Sequence, residues 1–290
     1  MIPTPLIPGQ FDAILDRQGH EPCPGVEIEF KHPLGSVPGG PELHATIFRP
    51  ARRPAQPAPA LLAFHGGGWI NGNPDGCGEI AKMLALSLGI TTVSASYRLV
   101  TDGRPTYPGL LADGLLAYRW VQSHAPKLHI DPTRLVVSGE SAGVLLAAHL
   151  AVNSPAIALA ADEGRPAALI AQWGPFDFVA RWFDRGENPG AERPMLGAGY
   201  AEDPRLYHES SPITHATGPL PPALLIYGRQ DPIVHARQGR IAHAAWQAAG
   251  AHSELLVLNQ IGHCTEGDNR AQRADYLRAA VGFLAARLPW

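Results

Sequence analysis

Short apolar segments alternate with helical segments over most of this chain, and no other feature of the sequence limits the fold as strongly. Helical patterns are found near 77–88, 109–124, 142–152, 234–249 and 267–288. Around them lie six mainly apolar runs of the kind expected for strands covered on both faces, at 60–64, 91–95, 135–138, 168–172, 223–227 and 254–258. Strands that alternate with helices predict an α/β fold with a mostly parallel sheet.

Two more strands are predicted ahead of this region. Residues 26–30 and 42–48 have β-type patterns, and the Gly- and Pro-rich segment 33–41 between them is typical of an antiparallel hairpin. The chain 1–290 is therefore predicted to be one α/β domain with about eight strands and with helices on both faces of the sheet. Residues 1–25 mix Pro and Gly with one short amphipathic stretch, and we expect them to form part of a lid.

Composition and charge exclude several classes of function. The 23 basic and 26 acidic residues give a net charge of −3, so no basic surface for nucleic acid is expected. No apolar run approaches the roughly 20 residues that span a bilayer, and the first residues do not have the pattern of a secretory signal. The three scattered cysteines and the absence of an HExxH spacing argue against a disulfide framework and a metal site. We expect a cytoplasmic protein without metal.

A serine lies at the junction of a predicted strand and a predicted helix. The sequence GESAG at 139–143 directly follows the strand 135–138 and precedes the helical run from Val144. A serine on such a tight turn needs small neighbours, and its hydroxyl is exposed beside the helix N-terminus. The pattern predicts Ser141 as a nucleophile; the alternative is a serine that only caps the helix.

A second motif, HGGGW at 65–69, follows the strand 60–64. Three consecutive glycines cost conformational entropy on folding, and a close approach of backbone N–H groups to a developing oxyanion would explain them. We predict that Gly66 and Gly67, together with Ala142 after the serine, donate to this oxyanion. His65 is expected to orient the loop, and a flexible turn without chemistry is the alternative.

With these two motifs the sequence resembles α/β-hydrolases of the hormone-sensitive-lipase-like esterase type, and it is similar also to bacterial arylformamidases and xylan-acetyl esterases. The resemblance covers roughly residues 60–265 and includes Tyr107-Pro108, the helix that carries Asp113 and Trp120, and the segments 97–99 and 130–134. The chain differs at Val144, where the family usually has glycine.

The chain order serine, acid, histidine of this fold indicates where the other catalytic residues lie. Asp231 follows the strand 223–227 and His263 follows the strand 254–258. His263 is expected to accept the proton of Ser141, and Asp231 to fix the tautomer of the imidazole. Asp177 is the alternative acid.

The segment 173–207 holds seven of the 21 aromatic residues of the chain. An insertion at this place forms a lid in the resembled family, so 174–212 is predicted to be a lid element, although plain core packing is an alternative. Residues expected to line the substrate pocket are Trp69, Phe176, Phe178 and Trp182.

The resemblance implies hydrolysis of short- to medium-chain carboxylic esters through an acyl-enzyme, with no cofactor. An amidase or arylformamidase differs only in its leaving group, so the sequence leaves this alternative open. Receptors that have lost a catalytic residue, and dehydratase-like uses of the same site, are less favoured alternatives, because Ser141, Asp231 and His263 are all present. Glu140 either organises loops near the site or is a solvated carboxylate. A homodimer is also left open.

Overall fold

The computed structural model describes residues 10–15, 20–101, 103–264 and 270–288. One sheet of eight strands runs through the described part of the chain. The strands are β1 Val26–Gly35, β2 Leu43–Pro50, β3 Ala58–Phe64, β4 Thr91–Ala95, β5 Ile130–Glu140, β6 Ala168–Gln172, β7 Ala223–Gly228 and β8 Ser253–Leu258. The helices are α1 Gln10–Leu15, α2 Gly78–Leu88, α3 Gly109–Ser123, α4 Ala125–Leu128, α5 Val144–Val152, α6 Phe178–Asp184, α7 Glu192–Leu196, α8 Pro204–Ser210, α9 Arg237–Ala248 and α10 Arg270–Arg287.

The strand order is β1-β2-β4-β3-β5-β6-β7-β8. The first two strands pair antiparallel with each other, and β2 pairs antiparallel with β4, whereas all the remaining pairs are parallel. The predicted fold class and the opening hairpin are thus confirmed. Two strands are longer than predicted: β1 continues through an irregular pairing to Gly35, and β5 begins at Ile130, which pairs with Ala58.

Helices cover both faces of the sheet because successive strand residues point to opposite sides. In β3, Leu61 and Ala63 pack with α1, α2 and α10, whereas Leu62 and Phe64 pack with α3, α5 and α9 on the other face. Both faces are apolar, which is why the central strands appear in the sequence as continuous apolar runs rather than as alternating ones.

The predicted N-terminal arm lies partly outside the described residues, since 1–9 and 16–19 are not among them. Its described helix, α1, contacts α2 and α10, and Ile14 is fully buried between them. The predicted helix 267–288 begins at Arg270 in the described part of the chain. Among the described residues, no helix combines the length and the apolar character needed to cross a lipid bilayer.

Candidate active site

Ser141 lies on a tight turn that joins β5 to α5. It begins the single 3-10 turn Ser141–Gly143, and its φ of +49° lies in the left-handed region, which is strained for a residue with a Cβ atom. Close packing holds this conformation, because a Cβ atom on Gly139 would lie 2.4 Å from the carbonyl carbon of Gly143. A Cβ atom on Gly143 would lie 2.2 Å from the carbonyl oxygen of Phe64 in β3. The glycines of the motif are therefore needed on steric grounds.

The three side chains predicted to act together are in contact. Oγ of Ser141 lies 2.8 Å from Nε2 of His263, and Nδ1 of His263 lies 2.8 Å from Oδ2 of Asp231. The other carboxylate oxygen, Oδ1, accepts hydrogen bonds of 2.8 Å from the backbone N–H groups of both Ile233 and Val234. Because a carboxylate accepts but does not donate, the proton of the imidazole is held on Nδ1, and Nε2 faces the serine as an acceptor.

The loops that carry Asp231 and His263 are hydrogen-bonded to each other. The N–H of Arg229 donates to the carbonyl of Leu258 (2.8 Å), and the N–H of Gln230 donates to the carbonyl of Ile261 (3.1 Å). Gly228 permits this approach, since a Cβ atom there would lie 2.3 Å from the carbonyl oxygen of Gly262. Because β7 and β8 are adjacent parallel strands, their carboxyl ends deliver both loops to the same edge of the sheet.

Asp177, the alternative acid, has a different partner. Its Oδ1 accepts the N–H of Ala180 at 2.9 Å and so caps the first turn of α6. The carboxylate in contact with His263 is that of Asp231.

The glycine-rich loop lies against the serine turn. A Cβ atom on Gly66 would lie 3.2 Å from Cβ of Ser141, and Gly67 has a φ of +122°, which a residue with a side chain rarely adopts. Among the described residues, the N–H groups of Gly66 and Gly67 donate to no backbone carbonyl. Donors that are held beside the serine without a backbone acceptor can bind an anionic oxygen.

His65 anchors this loop as a neutral imidazole. Its Nδ1 lies 2.7 Å from the carbonyl oxygen of Gly66, and burial lowers the pKa of His65 to about 4. The ring stacks on Tyr97 with 4.4 Å between centroids, and the Tyr97 hydroxyl donates to the carbonyl of His65 at 2.8 Å. Tyr97 lies in a segment that supports the resemblance, but its anchoring role has no signal in the sequence.

Trp69 joins the glycine loop to the serine turn. Its indole N–H donates to the carbonyl of Ala142 at 3.0 Å, and the ring meets Phe178 edge-on with 5.8 Å between centroids. Trp69 itself has a φ of +62° and is 2 % exposed. The tryptophan therefore ties together the two chain segments that carry the predicted oxyanion donors.

The predicted lid contains α6, α7 and α8. Phe176 and Phe178 are fully buried, and Phe176 packs edge-on against Trp246 of α9. Trp182 is half-buried beside Tyr200 and Tyr207. That these aromatic residues line a substrate pocket stays a prediction.

A buried histidine of α5 anchors the end of α8. The Nε2 atom of His149 lies 3.0 Å from the carbonyl oxygen of Ser210, and its Nδ1 lies 2.8 Å from the hydroxyl of Ser154. Burial lowers the pKa of His149 to about 4, so the ring that holds α8 is neutral at ordinary pH.

The packing bears on two residues next to Ser141. Val144 stands where the resembled family usually has glycine. Its side chain packs against Gly174, because a Cβ atom on residue 174 would lie 2.2 Å from Cβ of Val144. Glu140 is partly buried, and burial raises its pKa. Among the described residues, no group of three or more His, Cys, Asp or Glu side chains could hold a metal ion.

Comparisons with known proteins agree with the fold. The chain resembles the esterase Est2 of Thermogutta terrifontis bound to propionate, with 28% identity, a TM-score of 0.70 and coverage of 91% of this chain and 94% of that chain. A bacterial heroin esterase aligns with a TM-score of 0.76 at 23% identity, covering 97% of this chain and 89% of that one, and so supports the fold. Together with the sheet and the turn at Ser141, these likenesses define the protein as an α/β-hydrolase.

The family follows from sequence comparison. A family model described as BD-FAE matches residues 46–246, and the chain belongs to this family. Esterase LipQ of Mycobacterium tuberculosis is 32% identical over 222 residues, which are 74% of this chain and 52% of that protein. The carboxylesterase NlhH of the same species is 32% identical over 190 residues, 60% of this chain and 57% of that protein. The chain thus spans about half the length of these relatives, and its resemblance to esterases is confirmed.

Proposed function

We propose that the protein is a carboxylesterase with Ser141 as nucleophile, His263 as general base and acid, and Asp231 as the residue that orients the imidazole. The observation that carries the proposal is the continuous pair of hydrogen bonds, each 2.8 Å, from the serine hydroxyl through the imidazole to the buried carboxylate. Relatives that are named esterases support the reaction class.

The proposed reaction follows from these contacts. Oγ of Ser141 attacks the acyl carbonyl while Nε2 of His263 takes its proton, and the imidazolium then protonates the departing alcohol. The oxyanion of the tetrahedral intermediate accepts hydrogen bonds from the N–H groups of Gly66, Gly67 and Ala142. Water, activated by the same imidazole, hydrolyses the acyl-enzyme.

We propose esters of short- to medium-chain acids as substrates. Two large buried rings, Trp69 and Phe178, meet beside the serine turn, and they leave less room there than small side chains would. The Thermogutta esterase has been observed with propionate and with butyrate, which supports small acyl groups for this chain as well.

The proposal is tested with p-nitrophenyl acetate, butyrate and laurate as substrates. We expect hydrolysis of acetate and butyrate, a lower kcat/KM for laurate, and loss of turnover in Ser141→Ala with an unchanged circular dichroism spectrum. An N-formyl anilide measured in parallel distinguishes an arylformamidase. Wild-type turnover in Ser141→Ala would contradict the assigned nucleophile, and a preference for the formamide would contradict the assigned substrate class.

A further inference from the structure

A buried arginine connects the predicted lid to the loop of the catalytic acid. Arg181 lies in α6 and is 5 % exposed, and it forms an ion pair with Glu192 of α7, which is 3 % exposed. Its Nη1 also donates to the carbonyl oxygen of Ile233 at 2.5 Å. One guanidinium therefore binds both a lid carboxylate and the backbone two residues after Asp231.

Ile233 is bonded on both sides. Its N–H donates to Oδ1 of Asp231, and its carbonyl accepts from Arg181. The hydrogen bonds thus run without interruption from Glu192 through Arg181 and Ile233 to Asp231, and onward to His263. The backbone of Ile233, which donates to Oδ1 of Asp231, is thus itself held by Arg181 of the predicted lid.

The local packing is built around this ion pair. A Cβ atom on Gly190 would lie 2.2 Å from Oε2 of Glu192 and 3.1 Å from Nε of Arg185, so the glycine leaves room for the carboxylate. A buried guanidinium needs both a counter-charge and hydrogen-bond acceptors. The carboxylate of Glu192 supplies the counter-charge, and the backbone carbonyl of Ile233 supplies a hydrogen-bond acceptor.

We propose that Arg181 is a positioning residue for the reaction: through Ile233 it holds the Asp231 carboxylate in line with Nδ1 of His263. This inference rests on the proposed function and deepens it. Without Arg181 the loop loses its tie to α6, the carboxylate is displaced from the imidazole, and the imidazolium formed during catalysis is less stabilised.

Several other groups act on the same two side chains. The Ser141 hydroxyl contacts His263, the Glu140 carboxyl interacts with it electrostatically, and Cys264 follows it in the chain. The Tyr227 hydroxyl donates to the carbonyl of Gly174, and its phenol interacts electrostatically with Asp231. None of these groups is altered by a substitution at Arg181, and R181M/E192L removes one positive and one negative charge together, so a change in its pH profile reports on the tie to the acid loop.

The test compares three variants with the wild-type protein. Arg181→Met removes both contacts, and the double variant R181M/E192L also removes the carboxylate that would otherwise be left buried without a partner. Glu192→Gln is the matched control, since it removes the counter-charge but leaves Arg181 bonded to Ile233. Each protein is measured for kcat, KM and the pH dependence of kcat/KM with p-nitrophenyl acetate, and for its thermal midpoint.

We expect kcat of Arg181→Met and of the double variant to fall about 10- to 100-fold, as for displacements of about 1 Å at a catalytic group, with KM nearly unchanged. In both variants the acid limb of the pH profile of kcat/KM should move to lower pH, because a displaced Asp231 carboxylate stabilises the protonated imidazole of His263 less. Glu192→Gln loses thermal stability but keeps the wild-type acid limb. A folded double variant with wild-type kcat and acid limb overturns the inference.

A second readout does not depend on turnover. We expect the Nδ1 proton of His263, which is donated to Asp231, to give a downfield NMR resonance that Asp231→Asn abolishes. We expect this resonance to shift or broaden in R181M/E192L and to persist in Glu192→Gln. If the wild-type protein hydrolyses no ester, the proposed function fails, but the resonance still tests whether Arg181 holds Asp231 against His263. An unchanged resonance in the double variant contradicts that role of Arg181.

Discussion

Asp231→Asn separates the orientation of the His263 imidazole from the stability of the loop that carries Asp231. Oδ1 of Asp231 accepts two backbone N–H groups, from Ile233 and Val234, and only Oδ2 contacts His263. In the asparagine variant the amide oxygen takes the position of Oδ1, where it still accepts the two backbone N–H groups. The amide NH₂ group then takes the position of Oδ2 and points at Nδ1 of His263. His263 must then carry its proton on Nε2, where it cannot accept the proton of Ser141.

The size of the expected loss in kcat/KM follows from the free energy needed to flip the side-chain amide of the variant, so that its oxygen instead of its NH₂ group meets Nδ1 of His263. In this flipped orientation the backbone N–H groups of Ile233 and Val234 would have no acceptor. Each costs about 1 to 3 kcal/mol, so the flip costs about 2 to 6 kcal/mol in total. Even the lower limit leaves about 1 molecule in 30 productive, and the loss from a wrong tautomer in a Ser-His-Asp hydrolase approaches about 10⁴-fold, or about 5 kcal/mol in the barrier. We therefore expect kcat/KM to fall at least about 30-fold.

The assay is p-nitrophenyl acetate hydrolysis, with the thermal midpoint as control. Asp231→Asn should melt close to the wild-type protein, because both backbone hydrogen bonds persist. Asp231→Ala loses those acceptors and should be less stable as well as inactive. A loss of less than about 10-fold in a fully folded Asp231→Asn would refute the reasoning, since the imidazole would then not depend on this carboxylate.

Three further predictions concern stability and the oxyanion loop. The folded-state pKa of His149, about 4, is below the unfolded value of about 6.5, so the unfolded chain binds more protons between these pH values. His149 should therefore contribute a loss of about 3 kcal/mol in unfolding free energy as the pH drops from 7 to 4, beside the loss that His65 contributes. His149→Gln should make the pH slope from urea unfolding shallower by that amount, and an unchanged slope would contradict the assignment. Gly143→Ala should lower the unfolding free energy by about 1 to 3 kcal/mol because its methyl meets the backbone of β3, whereas Gly282→Ala, with no atom within 4 Å of its Cβ, should not; equal effects would exclude the steric reason. Trp69→Phe removes the donor to Ala142 and should lower kcat with little change in KM, and a wild-type kcat would show that this bond does not position the loop.

Much of the fold could be predicted because its strands are buried on both faces. All eight strands were expected near their observed positions, since short apolar runs bounded by Gly, Pro and charged residues are typical of strands in a covered sheet. The ends of β1 and β5 were less predictable, because pairing through an irregular register leaves no apolar pattern in the sequence. The helices α6 to α8 are bonded to distant segments, through Arg181 to Ile233, through Met195 to residues 106 and 107, and through Ser210 to His149, and these contacts leave no periodic pattern in the sequence.

The candidate site was predictable to the extent that the fold fixes it. Ser141, Asp231 and His263 each follow a strand of a parallel sheet, and such strand ends meet at one edge. The support of the site was not predictable: Arg181 meets Ile233 across 52 positions of the chain, and the sequence has no local signal for that contact. The sequence predicts Trp69 as a pocket residue, whereas its hydrogen bond to Ala142 depends on the three-dimensional approach of two loops.

Covalent labelling tests the assigned nucleophile most directly. Paraoxon phosphorylates an activated serine, and the Thermogutta esterase has been observed in its paraoxon-phosphorylated form. After incubation of this protein with paraoxon, peptide mass spectrometry should find one diethylphosphoryl group per chain, on Ser141, formed at a rate that falls sharply in His263→Ala. Labelling at another residue, or equally fast labelling of Ser141 without the imidazole, would contradict the account.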